Sequence, residues 1–429
     1  MYGVSSFLNT EGGERMNGLV SFFLNPGLYL FILFIYLHYR KQMAFERQLF
    51  SARIQTPLIQ TMRSIGMGIV GGLFVSVVSV GLGLVVRVQD MWLLSVIALI
   101  LAIVRIRFLC LAYASGVLGL LHIIAGWMPE LVHVQGLGAV WQVLLDAKPL
   151  PLLALAAILH LAEAFLVRWN GGKDASPLFM EGKRGRIVGA YELHSFWFTP
   201  LVLFVDVPTG WSVWHSALFP GWPLFSPDAA SWSLLMLPAV TGYSDLTKAM
   251  PPKQKAGEIA SQLGLYSLIL LALAYGSSWL PGLLFLTALF ALFGHEGMVF
   301  YSRWRENKLP PYYIQSSRGI KVMAVLPNTP AAEMGILPGE IIVKVNGVAV
   351  KEKAQLYPAL QVNPAFCKLE VLTHGGEIKF LQCAIYAGSH HQLGIIVVPD
   401  AATQYFIDVR KSSVLQLIKQ KMQKTDIGA

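Results

Sequence analysis

The stretch from Leu326 to Gly347, LPNTPAAEMGILPGEIIVKVNG, carries more local structural instruction than any other in the 429-residue chain. Thr329 and Pro330 set a helix N-cap before a proline at the first helical position, and Gly335 supplies a left-handed residue after one short helix, AAEM. Pro338-Gly339 turns the chain into the strand EIIVKV, and Asn346-Gly347 is a strong two-residue hairpin turn. Upstream, RGIKVMAVLP alternates apolar residues at Ile320, Val322 and Ala324, the period of a half-buried strand. Downstream, a second short helix is expected from about Ala354 to Leu360, where Pro358 is tolerable only near the first turn. Two more strands, near Cys367 to Thr373 and Glu377 to Ala384, are joined by a turn at His374-Gly375-Gly376.

Toward the N-terminus the chemistry changes. Hydrophobic residues make up 55% of the chain and charged residues 13%, and the mean hydropathy is +0.56, the balance of a bilayer protein. The formal charge of +9 lies in short links between apolar runs, where it orients spans and implies no nucleic-acid partner. Runs long enough for a hydrocarbon core of ~30 Å lead to an expectation of about eight spans, give or take one. They start near Leu19–Tyr39, interrupted at Asn25-Pro26-Gly27, and Ile65–Val86, whose glycines and serines favour close backbone packing. Met91–Val104 is short and followed by Arg105 and Arg107, so it is either a tilted span or half of a re-entrant pair with Phe108–Trp127. Leu150–Val167, Tyr191–Val207, a short Trp232–Tyr243, Ile259–Tyr275 and Leu280–Tyr301 complete the set, with a Trp- and Pro-rich interfacial loop after Val207. Cations cluster in alternate links (Arg40–Arg63, Arg168–Ala190, Lys248–Lys255, then Arg303–Lys308), which places those links and the C-terminal domain on the cytoplasmic side. No cleavable signal peptide is evident at the start. Three cysteines, Cys110, Cys367 and Cys383, have no CxxC spacing, so neither a disulfide framework nor a structural zinc site is expected.

Strand, short helix, hairpin, helix and two strands is the arrangement of a PDZ domain, a small partly open antiparallel β-barrel with two helices, and NTPAAEMGILPGEIIVKVNG resembles that family. Such a domain binds by β-augmentation: an extended peptide, often the C-terminus of another protein, adds to an open strand edge beside the second helix. The carboxylate-holding loop usually precedes the segment matching RGIKV. Here it is found instead in GSHHQLGIIVVPD, with Leu393, Gly394 and Ile395 as the loop and Ile395, Ile396, Val397 and Val398 as the receiving strand, which implies a circular permutation. Leu356 and Leu360, four apart on the second helix, either line the groove or fill the core.

Catalytic signatures are sparse. Gly294-His295-Glu296-Gly297 suggests the HExxH of zinc metalloproteases, but Val299 stands where the second histidine is needed. His160 and Glu163 share a face of one span, as an interhelical hydrogen-bonded pair or a proton path. No cofactor motif and no metal-ligand set is recognised. The tail KSSVLQLIKQKMQK, 411–424, pairs an apolar helical face with lysines and is expected to lie on anionic lipid, bind an acidic helix or pack on the PDZ domain.

The order FLNPGLYLFILFIYL, RKQMAFERQLFSARI, ALFGHEGMVFYSRWREN and GILPGEIIVKVNG resembles the MinJ family of cell-division topological determinants. That resemblance implies a non-enzymatic adaptor in the bacterial cell membrane, enriched at septa and poles, that bridges a DivIVA-type polar protein to a MinD-type division inhibitor by multivalent tethering. The implied organisation is a helical membrane domain over 1–310, a cytoplasmic PDZ domain over 315–400 and a basic amphipathic tail over 401–429. The alternatives are a degenerate intramembrane metalloprotease-like protein, a transporter, or a PDZ regulator of proteolysis.

Overall fold

The computed structural model describes residues 20–50, 56–182, 185–207, 222–226, 231–385, 393–400 and 403. The tail 411–424 and the histidines of GSHH therefore lie outside the described residues. The helical body contains α1 (Pro26–Phe50), α2 (Pro57–Gly81), α3 (Val88–Val104), α4 (Leu111–Trp127), α5 (Gly138–Asp146), α6 (Pro149–Asn170), α7 (Pro252–Trp279) and α8 (Leu283–Lys308). Its helical interruption at Asn25 is stabilised by the Asn25 side chain, which accepts the Gly27 amide at 2.8 Å. Among the described residues, four helices, α2, α6, α7 and α8, are long and apolar enough to cross a membrane. In the most apolar window of α6, 78% of residues are buried inside the protein against 17% for α8, so α6 is the helix around which the body is packed.

The expected third and fourth spans are α3 and α4, of 17 residues each, joined by a 3₁₀ turn at Ile106–Leu109. Cys110, at the end of that turn, meets His160 half-way along α6 and His295 half-way along α8. The turn therefore lies level with the middle of α6 and α8.

The sixth and seventh expected spans are corrected outright, because Tyr191–Val207 and Trp232–Tyr243 are not helical. They belong to β3 (Ile187–Asp206) and β4 (Trp232–Thr247), antiparallel from Tyr191 opposite Thr247 to Asp206 opposite Trp232. The opposite edge of β3 pairs with β2 (Ser176–Glu181) at one end and with the two-residue β1 (Val85–Val86) at the other. Between them α2 covers the edge with a stripe of small residues at i+4 spacing. Ser64 Oγ donates to the Phe196 carbonyl, and Ser76 Oγ accepts the Val202 amide at 2.9 Å. Side chains at Gly68 and Gly72 would overlap the Phe198 and Pro200 carbonyls. The glycine-rich helix does pack closely, but against a strand edge. Pro200 turns its amide position toward α2 and Pro238, directly opposite it, turns away from β3, so neither removes a hydrogen bond between the two strands.

The C-terminal domain holds β5 (Ile320–Val325), α9 (Pro330–Glu333), β6 (Ile341–Val345), β7 (Val348–Ala349), α10 (Lys353–Gln361), β8 (Phe366–Leu372), β9 (Ile378–Ala384) and β10 (Ile395–Val397). Asn346 and Gly347 both have positive φ, 48° and 82°, as the hairpin turn requires. Thr329 stands at the N-cap position, but its hydroxyl donates to the Leu326 carbonyl at 2.7 Å instead of capping α9. Pro358 is in the second turn of α10, not the first; Ala354, whose carbonyl loses its partner, is exposed, and water can take that bond. A capping box between Glu352 and Gln355 secures the helix start.

The two parts share a core. Gly189 donates to the Tyr313 carbonyl at 2.9 Å, Tyr312 to the Lys248 carbonyl at 2.7 Å, and the Tyr191 hydroxyl to the Met323 carbonyl. Tyr313 and Met323 are fully buried there beside Trp197, Ile396 and Val398. Lys255, counted among the loop cations from sequence, is 2% exposed, with Glu306 at 3.1 Å and Asp245 at 3.4 Å. It is an internal ion bracing α7 to α8, because it sits on the inward face of the first turn of α7 while Lys253 and Gln254 are exposed.

Candidate functional sites: a strand edge and a thiol–imidazole cluster

The sheet order is β10-β5-β6-β8-β9, so the C-terminal strand β10 lies at the edge, antiparallel to the first strand of the domain. Ile395 faces Val325 and Ile396 faces Ala324. The Gly394 carbonyl accepts the Leu326 amide at 2.8 Å and Val398 donates to Lys321 at 3.1 Å, so by alternation the amides of Ile395 and Val397 point to the outer edge. No strand pairs with that edge among the described residues. Gly394 has φ of +84°, and a side chain there would strike Thr329. The tight Leu393-Gly394-Ile395 corner thus packs against the start of α9, where the Leu393 carbonyl accepts the Ala331 amide at 3.0 Å.

The side chains divide between two cores. Leu393, Val397 and Leu360 are buried in the PDZ core, with Leu356 and Ile395 packed at its margin. Ile396 points to the other side, into the core shared with β3 and α7. Of the seven sequence-derived residues, Ile396 thus belongs to the other core, and Leu356 and Ile395 are the two that are only partly buried at the margin of the PDZ core. Burial pushes the Cys367 thiol at the centre of this domain up to about 12.

The second cluster was invisible to motif spacing. Cys110, His160 and His295 come from the start of α4, from α6 and from α8, and their ligand atoms all lie within 4.8 Å of one another. Cys110 Sγ is 3.1 Å from His160 Nε2 and 3.9 Å from His295 Nε2. Tyr113 and Glu296 join it: His295 Nδ1 is 3.0 Å from the Tyr113 hydroxyl, which lies 2.8 Å from Glu296 Oε2, and Glu296 is ion-paired to Arg107. Sequence reading singles out His295 as part of an incomplete HExxH and His160 as the face-mate of Glu163, and leaves Cys110 as an isolated thiol. Nothing in one helix's periodicity links residues on three.

A helical body with four helices long and apolar enough to cross a membrane among the described residues, followed by a PDZ domain whose edge strand is open, defines the class of a membrane protein carrying a PDZ domain. The PDZ domain model PDZ_6 matches residues 321–372. The chain is 30% identical over 403 residues, covering 91% of this chain and 96% of its relative, to the cell division topological determinant MinJ of Bacillus subtilis. It is 27% identical over 288 residues to a probable cell division topological determinant MinJ of Lacticaseibacillus paracasei, covering 63% of this chain and 72% of that one. A solved PDZ domain of an SdrC-like protein from Listeria monocytogenes is 21% identical, covers 19% of this chain and 90% of its own, and superposes with a TM-score of 0.17. The chain belongs to the MinJ family of cell division topological determinants.

Proposed function

We propose that the protein is a non-enzymatic membrane adaptor for division-site placement, whose cytoplasmic PDZ domain takes an extended peptide or the C-terminus of a partner along β10. The observation that carries this reading is the outward-facing Ile395 and Val397 backbone at the sheet edge, beside the Leu356 and Ile395 side chains. Added strand hydrogen bonds supply affinity there and the α10 lip supplies side-chain selection. The pairing of a C-terminal receiving strand with the first strand of the domain supports a circularly permuted PDZ order.

The same reading gives the topology. Helices α2, α6, α7 and α8 each cross once, the β3–β4 hairpin goes out and returns, and α3–α4 dips in and leaves by the same side. The cation-rich links and the PDZ domain then all fall on the cytoplasmic face. Partners follow from the family resemblance: a DivIVA-type polar protein and a MinD-type inhibitor, held near each other by the membrane so that weak contacts suffice.

The test is the position of a fluorescent fusion in a rod-shaped host, for the full chain, for a Leu356→Glu variant, and for the chain lacking 315–400. Septal and polar enrichment of the full chain, altered in both variants, is expected. Uniform membrane fluorescence of the full chain would overturn the division role. Enrichment unchanged by Leu356→Glu would remove the groove from it.

A further inference from the structure

The hydrogen bonds around Cys110, His160 and His295 determine where the protons are. His160 Nδ1 lies 2.7 Å from the Ala156 carbonyl, which can only accept, so Nδ1 carries the proton and Nε2 presents a lone pair to Cys110. Glu296, ion-paired to Arg107, is an acceptor and takes the single hydroxyl proton of Tyr113. The Tyr113 oxygen must then accept from His295 Nδ1, which leaves His295 Nε2 with a lone pair directed at the same sulfur. Two imidazole lone pairs thus converge on a thiol that has one proton. With both imidazoles neutral this set of protein groups is one donor short, and the shortfall lies in a site where His160 is 3% exposed.

We propose that these three residues bind a zinc ion. Two neutral imidazoles and a thiolate are the donor set zinc favours. Zinc–sulfur and zinc–nitrogen bonds at a tetrahedral angle put sulfur and nitrogen roughly 3.5 Å apart, and the separations of 3.1 Å and 3.9 Å bracket that value. Each histidine already has the outer hydrogen bond that orients metal ligands, one to a backbone carbonyl and one through Tyr113 to Glu296. Binding converts Cys–SH and Zn²⁺ to a zinc thiolate and releases one proton, while both imidazoles stay neutral. The fourth position falls to water. The ion would fasten the re-entrant turn before α4 to α6 and α8.

The experiment uses the full chain, purified in detergent through a tag without histidines, loaded with zinc and dialysed. About one zinc per chain is expected for the wild type, and less than about a fifth of that for Cys110→Ser and for His295→Ala. Tyr113→Phe keeps all three ligands and loses only the orienting acceptor, so its zinc affinity should fall about 10–100-fold, with the thiolate-to-metal absorption of the cobalt-loaded form retained. Should the ligand variants not fold, the wild type still decides. Chelation should raise alkylation of Cys110, mapped by mass spectrometry, about tenfold over the zinc-loaded form. Equal zinc in wild type and Cys110→Ser, zinc well below one per chain after loading, or alkylation indifferent to chelation would each overturn the site.

Discussion

The PDZ domain and the β3–β4 hairpin are both antiparallel and both apolar, yet one is written in local signals and the other is not. In the PDZ domain each turn has its own chemistry, such as Asn346-Gly347 and the Glu352–Gln355 capping box, so neighbours in sequence specify the fold. The hairpin is specified by what lies beside it. Its open edge is acceptable because Ser64, Gly68, Gly72 and Ser76 of α2, more than a hundred residues away, bring hydroxyls and bare backbone against it. An unpaired strand edge in an apolar environment costs too much without such a partner.

The sharpest way to break the comparison is to attack the long-range side of it. Lys255→Met leaves the Glu306 and Asp245 carboxylates facing each other without their cation, at a cost of about 3–5 kcal/mol. The expected result is loss of a monodisperse peak for the detergent-solubilised chain. Its local counterpart is Leu360→Ala in the PDZ core, worth about 2–5 kcal/mol of cavity and transfer energy. Limited proteolysis should then cut the PDZ domain while the helical body stays intact.

Substitutions on α2 isolate the edge itself. Gly72→Ala forces a methyl into the Pro200 carbonyl and is expected to cost about 1–3 kcal/mol, whereas Gly66→Ala, with nothing near its added carbon, should be neutral or gain up to about 1 kcal/mol from helix propensity. Equal thermal midpoints for the two variants would show that the glycine stripe does not hold the strand. The joint is probed by Tyr191→Phe, which leaves the buried Met323 carbonyl without its donor at about 1–3 kcal/mol. Faster protease cleavage between α8 and β5 is the expected signature.

The smallest effect is one of pH. Cys367 has a thiol raised by burial, from 9.0 to about 12, with the neighbouring Cys383 adding to it. A raised folded value means the contribution is complete below pH 9 and is lost as pH rises toward 12, at up to roughly 1.4 kcal/mol per unit. Urea titrations of the PDZ region at pH 8 and pH 10 should therefore differ by more in the wild type than in Cys367→Val.

Sequence reading went furthest where signals are short-range. The strands, both PDZ helices and the Leu393-Gly394-Ile395 corner were legible to within a few residues. It fails at Tyr191–Val207, a 17-residue apolar run that length alone reads as a helical span. The signals against a helix were present: aromatic and β-branched residues throughout, with Pro200 near the middle, opposed later by Pro238.

By itself the sequence determined that this is an apolar helical body joined to a PDZ domain, because composition and turn chemistry are properties of adjacent residues. Only the tertiary structure decided that two spans are a hairpin, that Lys255 is internal, and that Cys110, His160 and His295 meet. Those outcomes depend on which groups remain to satisfy one another once helices pack, and spacing along the chain holds no record of that.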